Sequence, residues 1–253
     1  MKNISYFVVV AFLASSCIKA GEAGLGLSDG RGGSMARFAI VDNMLYTISN
    51  SNIKLFDIEE GADPKYYEQR DVQVGFDIET VFPMDTLLFI GSREGMYIYD
   101  ITDPRFPSFL SKVSHLRSCD PVVAQGNYAY VTLNTKTSAC GPGTNNVLDI
   151  YDISDISVPV LKKTLFMSLP MGLGIDGTKL FVCDRGLKVF DISDPVTIRQ
   201  VDDLVPVGEV NILEAYDVIP VDGLLLLVAK EGLFQFDYTG DRLQYVSKIA
   251  IKQ

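Results

Sequence analysis

Hydrophobic and polar positions alternate along this chain in short runs, and the runs recur in a five-fold order. Leu55-Phe56-Asp57, Ile98-Tyr99-Asp100, Ile150-Tyr151-Asp152, Val189-Phe190-Asp191 and Gln235-Phe236-Asp237 each close an alternating segment with an aspartate. The aspartate-to-aspartate steps are 43, 52, 39 and 46 residues. That period suits a repeat of one four-stranded propeller blade. Each repeat opens with a strand that ends at a turn dipeptide tolerant of positive φ: Asp42-Asn43, Asp85-Thr86, Gly126-Asn127, Asp176-Gly177 or Asp222-Gly223. A more continuously apolar strand follows, at 45–48, 87–90, 128–133, 180–183 and 224–229. Such runs fit strands buried on both faces between neighbouring blades.

The third strand carries the aspartate signature. In four repeats a proline follows it (Pro64, Pro104, Pro159, Pro195), which removes a ladder donor and starts an outer loop. A more polar fourth strand, the exposed blade edge, is predicted at 66–74, 108–113, 160–166, 198–204 and 243–251. Five repeats of four strands leave none missing and none spare. The fold class predicted is therefore all-β, a closed five-bladed β-propeller of four-stranded antiparallel blades spanning 35–253.

The strand followed by Asp-Ile-Ser-Asp-x-x-x-Pro at Asp152 to Pro159, and the related Asp191-Ile192-Ser193-Asp194-Pro195, resembles the LVIVD-repeat family of extracytoplasmic bacterial β-propellers. The resemblance covers about residues 35–251 and is strongest in repeats two to four; repeat five lacks the proline. It implies a surface or periplasmic propeller lipoprotein and carries no settled activity or ligand.

The N-terminus changes the picture from fold to address. Lys2 gives a positive start, the stretch from Ile4 to Ala14 is apolar, and Ala14, Ser15 and Ser16 lead to Cys17. This order reads as a cleaved export signal over 1–16. Leu13-Ala14-Ser15-Ser16-Cys17 resembles a bacterial lipobox, with Cys17 the lipidated first residue of the mature chain. Ala14 stands where the pattern usually has Leu, and an ordinary secretory signal is the other reading. The small, glycine-rich stretch over 17–34 reads as a flexible tether. The expected address is the bacterial cell envelope, lipid-anchored and in the outer membrane, with no other contact with the bilayer. A net charge of −10 argues against nucleic acid as a partner, because the phosphate backbone repels the chain.

Candidate chemistry is sparse. Cys119 precedes the first strand of repeat three, and Cys140 lies in the Thr-, Ser- and Gly-rich insertion between its second and third strands. Those connections leave a blade on the same face, so the two sulfurs are positioned either to form a disulfide or to remain free thiols. A bridge closing that loop is worth roughly 3 kcal/mol in the chain-entropy model, and an exported compartment permits it. Cys183, at the end of an apolar strand, reads as a core thiol. The one histidine, His115, has no cysteine partners at zinc spacing, and no Gly-x-Ser-x-Gly elbow accompanies it.

Asp77, Asp120 and Asp217 each begin the innermost strand of a repeat and should ring the channel mouth. Two readings are open: a Ca²⁺ site, the only cofactor the sequence suggests, or acceptors for backbone N–H groups where blades meet. The loops with Arg93, Arg117 and Arg185 reach the same face. A ligand-binding set of Arg93, Arg117, Asp120, Arg185 and Asp217 would suit a small polar or anionic ligand or an envelope protein, although Arg-Glu-Gly hairpin tips are also ordinary solvated turns. The function expected is a membrane-tethered binding module rather than an enzyme. A glycosidase-like hydrolase using axial carboxylates and a structural component of a surface assembly are the alternatives.

The disulfide yields a direct test. A peptide map of freshly isolated protein without reductant should show Cys119 linked to Cys140, and two alkylatable thiols there would refute the bridge.

Overall fold

The computed structural model describes residues 32–114, 121–135, 146–204 and 214–251. The chain forms a five-bladed β-propeller in which every blade is a contiguous antiparallel meander. Blade 1 contains β1 (Phe38–Val41), β2 (Met44–Ile48), β3 (Asn52–Asp57) and the short β4 (Lys65–Tyr66) and β5 (Val72–Gln73). Blade 2 is β6 (Ile78–Met84), β7 (Leu87–Ser92), β8 (Gly95–Asp100) and β9 (Ser108–Ser114). Blade 3 is β10 (Val122–Gln125), β11 (Tyr128–Leu133), β12 (Val147–Asp152) and β13 (Val160–Phe166). Blade 4 is β14 (Pro170–Asp176), β15 (Lys179–Asp184), β16 (Leu187–Asp191) and β17 (Arg199–Leu204). Blade 5 is β18 (Ala215–Val221), β19 (Leu224–Ala229), β20 (Gly232–Asp237) and β21 (Gln244–Ala250). The expected fourth strand of blade 1 is interrupted. A 3₁₀ turn at Glu68–Arg70 divides it, and β4 and β5 pair separately with β3.

The signature aspartates have a local physical cause. The strand-ending Asp accepts a hydrogen bond from the N–H two residues on: Asp57 from Glu59 at 3.0 Å, Asp100 from Thr102 at 2.7 Å, Asp152 from Ser154 at 3.0 Å, Asp191 from Ser193 at 3.0 Å and Asp237 from Thr239 at 2.8 Å. In blades 2 to 4 a second aspartate three residues later repeats the turn, Asp103 to Arg105, Asp155 to Ser157 and Asp194 to Val196. Asp-Ile-Ser-Asp is thus two linked Asx turns, which reverse the chain between the third and fourth strands without a long loop. The Ser and Thr hydroxyls that add a second bond hold the carboxyls of Asp100, Asp152, Asp155, Asp194 and Asp237 below the usual range, Asp152 at about 2.

Four hydrophobic cores lie between the blades: one each for blades 1 and 2, 2 and 3, 3 and 4, and 4 and 5. A side chain also ties each of these junctions to backbone. Tyr46 donates to the Pro104 carbonyl, Ser111 to Ile156, Thr132 to Met171, and Lys179 to Tyr238 and Gly240.

The expected closed ring is not what the structure shows at the fifth junction. Among the described residues, no core joins blade 5 to blade 1. The middle strands record this directly. In β7, β11 and β15 every residue after the first is buried, so both faces are covered. In β2 and β19 burial alternates: Met44, Tyr46 and Ile48 are buried while Leu45 and Thr47 are not, and Leu225, Leu227 and Ala229 are buried while Leu224, Leu226 and Val228 are not. Phe38 and Ile40 of β1 are 58% and 37% exposed. Apolar runs in β2 and β19 look two-sided in sequence because they come from the same repeat, yet among the described residues each terminal blade packs against one neighbour.

Blades 4 and 5 approach closely along their inner strands. A Cβ on Gly172 would lie 2.2 Å from Asp217 Oδ1 and 2.7 Å from the Tyr216 carbonyl oxygen. Because one of those atoms is backbone, Gly172→Ala should destabilise the fold by about 2–3 kcal/mol. Urea unfolding measures this, and a loss below about 0.5 kcal/mol would show that the strands move apart freely.

Candidate functional site

The strand-start face, formed by the inter-blade connections and the hairpins between second and third strands, is where the ligand set was expected. Arg93, on the β7–β8 hairpin, turns inward. Its Nη1 lies 3.2 Å from Asp77 Oδ2 and its Nε 3.0 Å from Glu79 Oε1, while its N–H donates to the Asp77 carbonyl at 3.2 Å. Burial pushes the Glu79 carboxyl above its ordinary range, against the downward pull of Arg93. Asp77 sits at φ 51°, a left-handed position Asp tolerates because its short side chain bonds locally. Arg93 is thus bound to the lead-in of β6, with its side chain partly exposed.

Asp217 is likewise committed. Its Oδ1 accepts from the Ser34 hydroxyl at 3.1 Å and from the Val218 N–H at 3.0 Å, and its Oδ2 from the Met35 N–H at 3.3 Å. The Ser34 hydroxyl also accepts from the Leu173 N–H at 2.7 Å. Ala36 receives the Val81 N–H on its carbonyl at 3.0 Å. Residues 33–36 therefore form a strap across the axis, joining blade 2 to blades 4 and 5. Gly33 is required here, since a Cβ on it would lie 1.9 Å from Asp217 Oδ2. Ser34 is buried, so the strap continues the propeller two residues into the stretch read as tether. Burial pushes the Asp217 carboxyl up to about 6, with the Val218, Met35 and Ser34 donors pulling the other way.

Arg185 alone of the described set points outward. It sits at the β15–β16 hairpin tip with φ 51°, exposed and without a side-chain partner among the described residues. Arg117 and Asp120 lie outside the described residues, as do Cys17, Cys119, Cys140 and His115. The structure therefore brings Arg93 and Asp217 to the face as internal struts and displays Arg185. Among the described residues no three His, Cys, Asp or Glu side chains are grouped to hold a metal ion. Cys183 is fully buried and free, and burial raises its thiol well above the ordinary value.

Sequence reasoning missed two residues. Asp184, buried at the end of β15, accepts from the Ser168 N–H at 2.9 Å and from Lys188 Nζ at 2.6 Å, so it pins the lead-in to β14. The available signal was the equivalent position in blade 2, where Ser92 also has a polar side chain bonded to backbone. Ser34 gave no signal, because it ends a run of small polar residues.

A cavity of about 260 Å³ is lined by Phe82, Met84, Val123, Leu173, Ile175 and Ile219, with Asp85, Gln125 and Asp176 among its polar lining. Those three belong to the ends of β6, β10 and β14, so the cavity lies towards the face opposite the expected one. A groove of about 500 Å³ lies between blades 1 and 2 on that same side, but its Asp57 and Asp103 are held in Asx turns and Arg105 pairs with Asp103 at 2.9 Å.

The LVIVD repeat profile matches residues 117–137 and 143–165, both in blade 3. The chain carries LVIVD repeats. No curated protein sequence matches it. Among solved structures, the chain is similar to a protein from Desulfotomaculum acetoxidans at 12% identity and a TM-score of 0.66, over 85% of this chain and 69% of that one. A protein from Lactobacillus plantarum matches at 13% identity and 0.64, over 83% and 69%. The computationally designed Ika8 protein matches at 13% and 0.58, over 84% of this chain and 63% of its own. At these identities the likeness is of fold alone, and this chain spans about two thirds of the length of those proteins. A β-propeller with LVIVD repeats points to a binding or interaction module.

The raised carboxyl of Asp217 gives a pH prediction. A group whose pKa is higher folded than unfolded contributes stability that is fully present below about pH 4 and is lost as the pH rises through about 6. Asp217→Asn should therefore flatten the melting-temperature profile between those values. An unchanged slope would show that Asp217 is ionised and solvated.

Proposed function

We propose that this LVIVD propeller is a non-catalytic binding module of the bacterial cell envelope. It is held to the outer membrane by lipid on Cys17 and engages an envelope protein or a small polar ligand. The observation that carries the reading is the commitment of Asp77 and Asp217. A hydrolase using axial carboxylates needs them free to face substrate, whereas Asp77 pairs with Arg93 and Asp217 receives Ser34, Met35 and Val218. Carboxylates spent on holding backbone and a neighbouring cation are poorly placed for acid–base work, which needs a proton exchanged with substrate. The lipid anchor is supported by the order of Lys2, the apolar stretch and the small residues before Cys17.

The two halves of the proposal are separable by experiment. Cys17→Ser should abolish metabolic labelling with palmitate and move the protein to the soluble fraction; membrane retention of the unlabelled variant would overturn the anchor. Incubation of wild type with a panel of aryl glycosides should release no phenol. Turnover abolished by Asp217→Asn would overturn the non-catalytic reading and reinstate the hydrolase.

A further inference from the structure

The cavity of about 260 Å³ is built by the inner strands of four blades, β6, β10, β14 and β18, with Gly32, just ahead of the strap, also in its lining. Its walls are apolar. Phe82, Met84, Ile175 and Ile219 are half-buried there. The space exceeds the ~150 Å³ that holds one benzene ring and falls just short of the ~300 Å³ at which drug-sized pockets begin. It suits a single ring or a short branched chain, roughly ten non-hydrogen atoms in all.

The side chains at the polar end of the cavity present acceptors. Asp85 begins the β6–β7 hairpin, is exposed, and has no bonded side-chain partner among the described residues. Asp176, at the end of β14, accepts from the Tyr238 hydroxyl on Oδ2 at 2.6 Å, which leaves Oδ1. Gln125, at the end of β10, directs its amide nitrogen to the Gly177 carbonyl at 2.8 Å and keeps Oε1 as an acceptor. No lysine or arginine lines the cavity. Lys179, the register partner of Asp176, carries its ammonium to the Tyr238 and Gly240 carbonyls instead. Proline removes donors from the walls: Pro83 and Pro220 line the cavity from β6 and β18, and a proline in an inner strand has no N–H to turn towards the channel. The first hairpins of blades 1 and 5 add Asp42 and Asp222 on the same face, and all five of these hairpins lie within the described residues.

That arrangement selects by charge. A carboxylate or phosphate entering the cavity meets Asp85 and Asp176 with no counter-charge, on a chain whose net charge is already −10. An ammonium group does the reverse. It donates to the carboxylates while its hydrocarbon body displaces water from the walls.

We propose that this cavity is a binding site for a small organic cation, an ammonium group carrying one ring or a short branched hydrocarbon. The ammonium is held by Asp85, Asp176 and Gln125, and the hydrocarbon lies against Phe82, Met84, Ile175 and Ile219. This deepens the binding-module reading, on which it rests, by placing a ligand on the face opposite the strand starts and giving it a positive charge.

Calorimetric titration of the full chain tests it with two ammonium probes, phenethylamine and 3-methylbutylamine, each compared with its alcohol and its carboxylate (2-phenylethanol and 3-phenylpropanoate; 3-methylbutanol and 4-methylpentanoate). At least one ammonium probe should bind with a Kd of about 1 mM or tighter, about ten-fold more tightly than its alcohol, and should shift the Met84 methyl resonance. Its carboxylate should not bind. Asp85→Asn should weaken binding about five-fold. It should hold the melting temperature within about 2 °C, because asparagine also tolerates the left-handed φ of 51°. Ile219→Phe, which fills the space, should abolish binding. Equal affinity for ammonium and alcohol, or affinity unchanged in both variants, overturns the proposal. Failure of both ammonium probes overturns it too, and is also the result if another part of the chain fills the cavity. Preference for a carboxylate removes this site's assignment and leaves the binding-module reading standing. Glycoside turnover lost in Asp217→Asn removes that reading instead, and the two failures are read separately because Asp217 does not line the cavity.

Discussion

The structure depends on face-to-face burial of sheets. A blade is a four-stranded meander whose middle strands have apolar side chains on both faces, so a single blade in water would expose one or both of them. Each junction covers one face from each of two blades, and blades 2, 3 and 4 reach the state in which Leu88, Tyr130 and Phe181 are all but sealed from solvent. Burial of that kind is worth about 1.5–3 kcal/mol per large apolar side chain relative to exposure, far more than the surface ion pairs between hairpins provide. The polar contacts add geometry. Tyr46, Ser111, Thr132 and Lys179 each reach across a junction to a carbonyl, which sets how far one blade slides along the next.

Charge has two roles that the sequence does not separate. Aspartates at strand ends shape turns: they are half-buried and accept a bond from the N–H two residues on, and in blades 2 to 5 they are stabilised as carboxylates. Aspartates at the starts of inner strands are drawn inside, where Asp217 meets an environment that favours its proton. Asp77 stands between these cases, with Arg93 supplying the counter-charge. Stability is therefore set by two opposing groups of carboxyls, one favouring higher pH and one lower.

Much of the fold was legible. The spacing of Asp57, Asp100, Asp152, Asp191 and Asp237 marks the third strand of every blade because Asx turns leave an aspartate at a fixed place, and the strand limits at 128–133 and 224–229 follow from apolar runs bounded by turn residues. Ring closure was not legible. Leu45 and Leu224 look like any other buried blade residue, since a repeat is written for the junction it usually makes and not for its position in the array. The candidate site was legible in place but not in role. Arg93 and Asp217 do lie at the strand-start face, but the groups that claim them, Glu79 and Ser34, sit in segments with no motif. Only the three-dimensional meeting of residues 183 positions apart, Ser34 and Asp217, reveals that contact.

The strap also governs how the molecule bears load. Any pull delivered through the chain ahead of Gly32 reaches Ser34 and Met35 before it reaches the first ladder pair of blade 1, Phe38 with Thr47. The tension is then shared among Asp217, the Leu173 amide and the Val81 amide, three points on three different blades. A protein moored by its leading end would meet drag at its hub, where several sheets resist together, and its outermost β-ribbon would be spared from being unzipped one rung at a time.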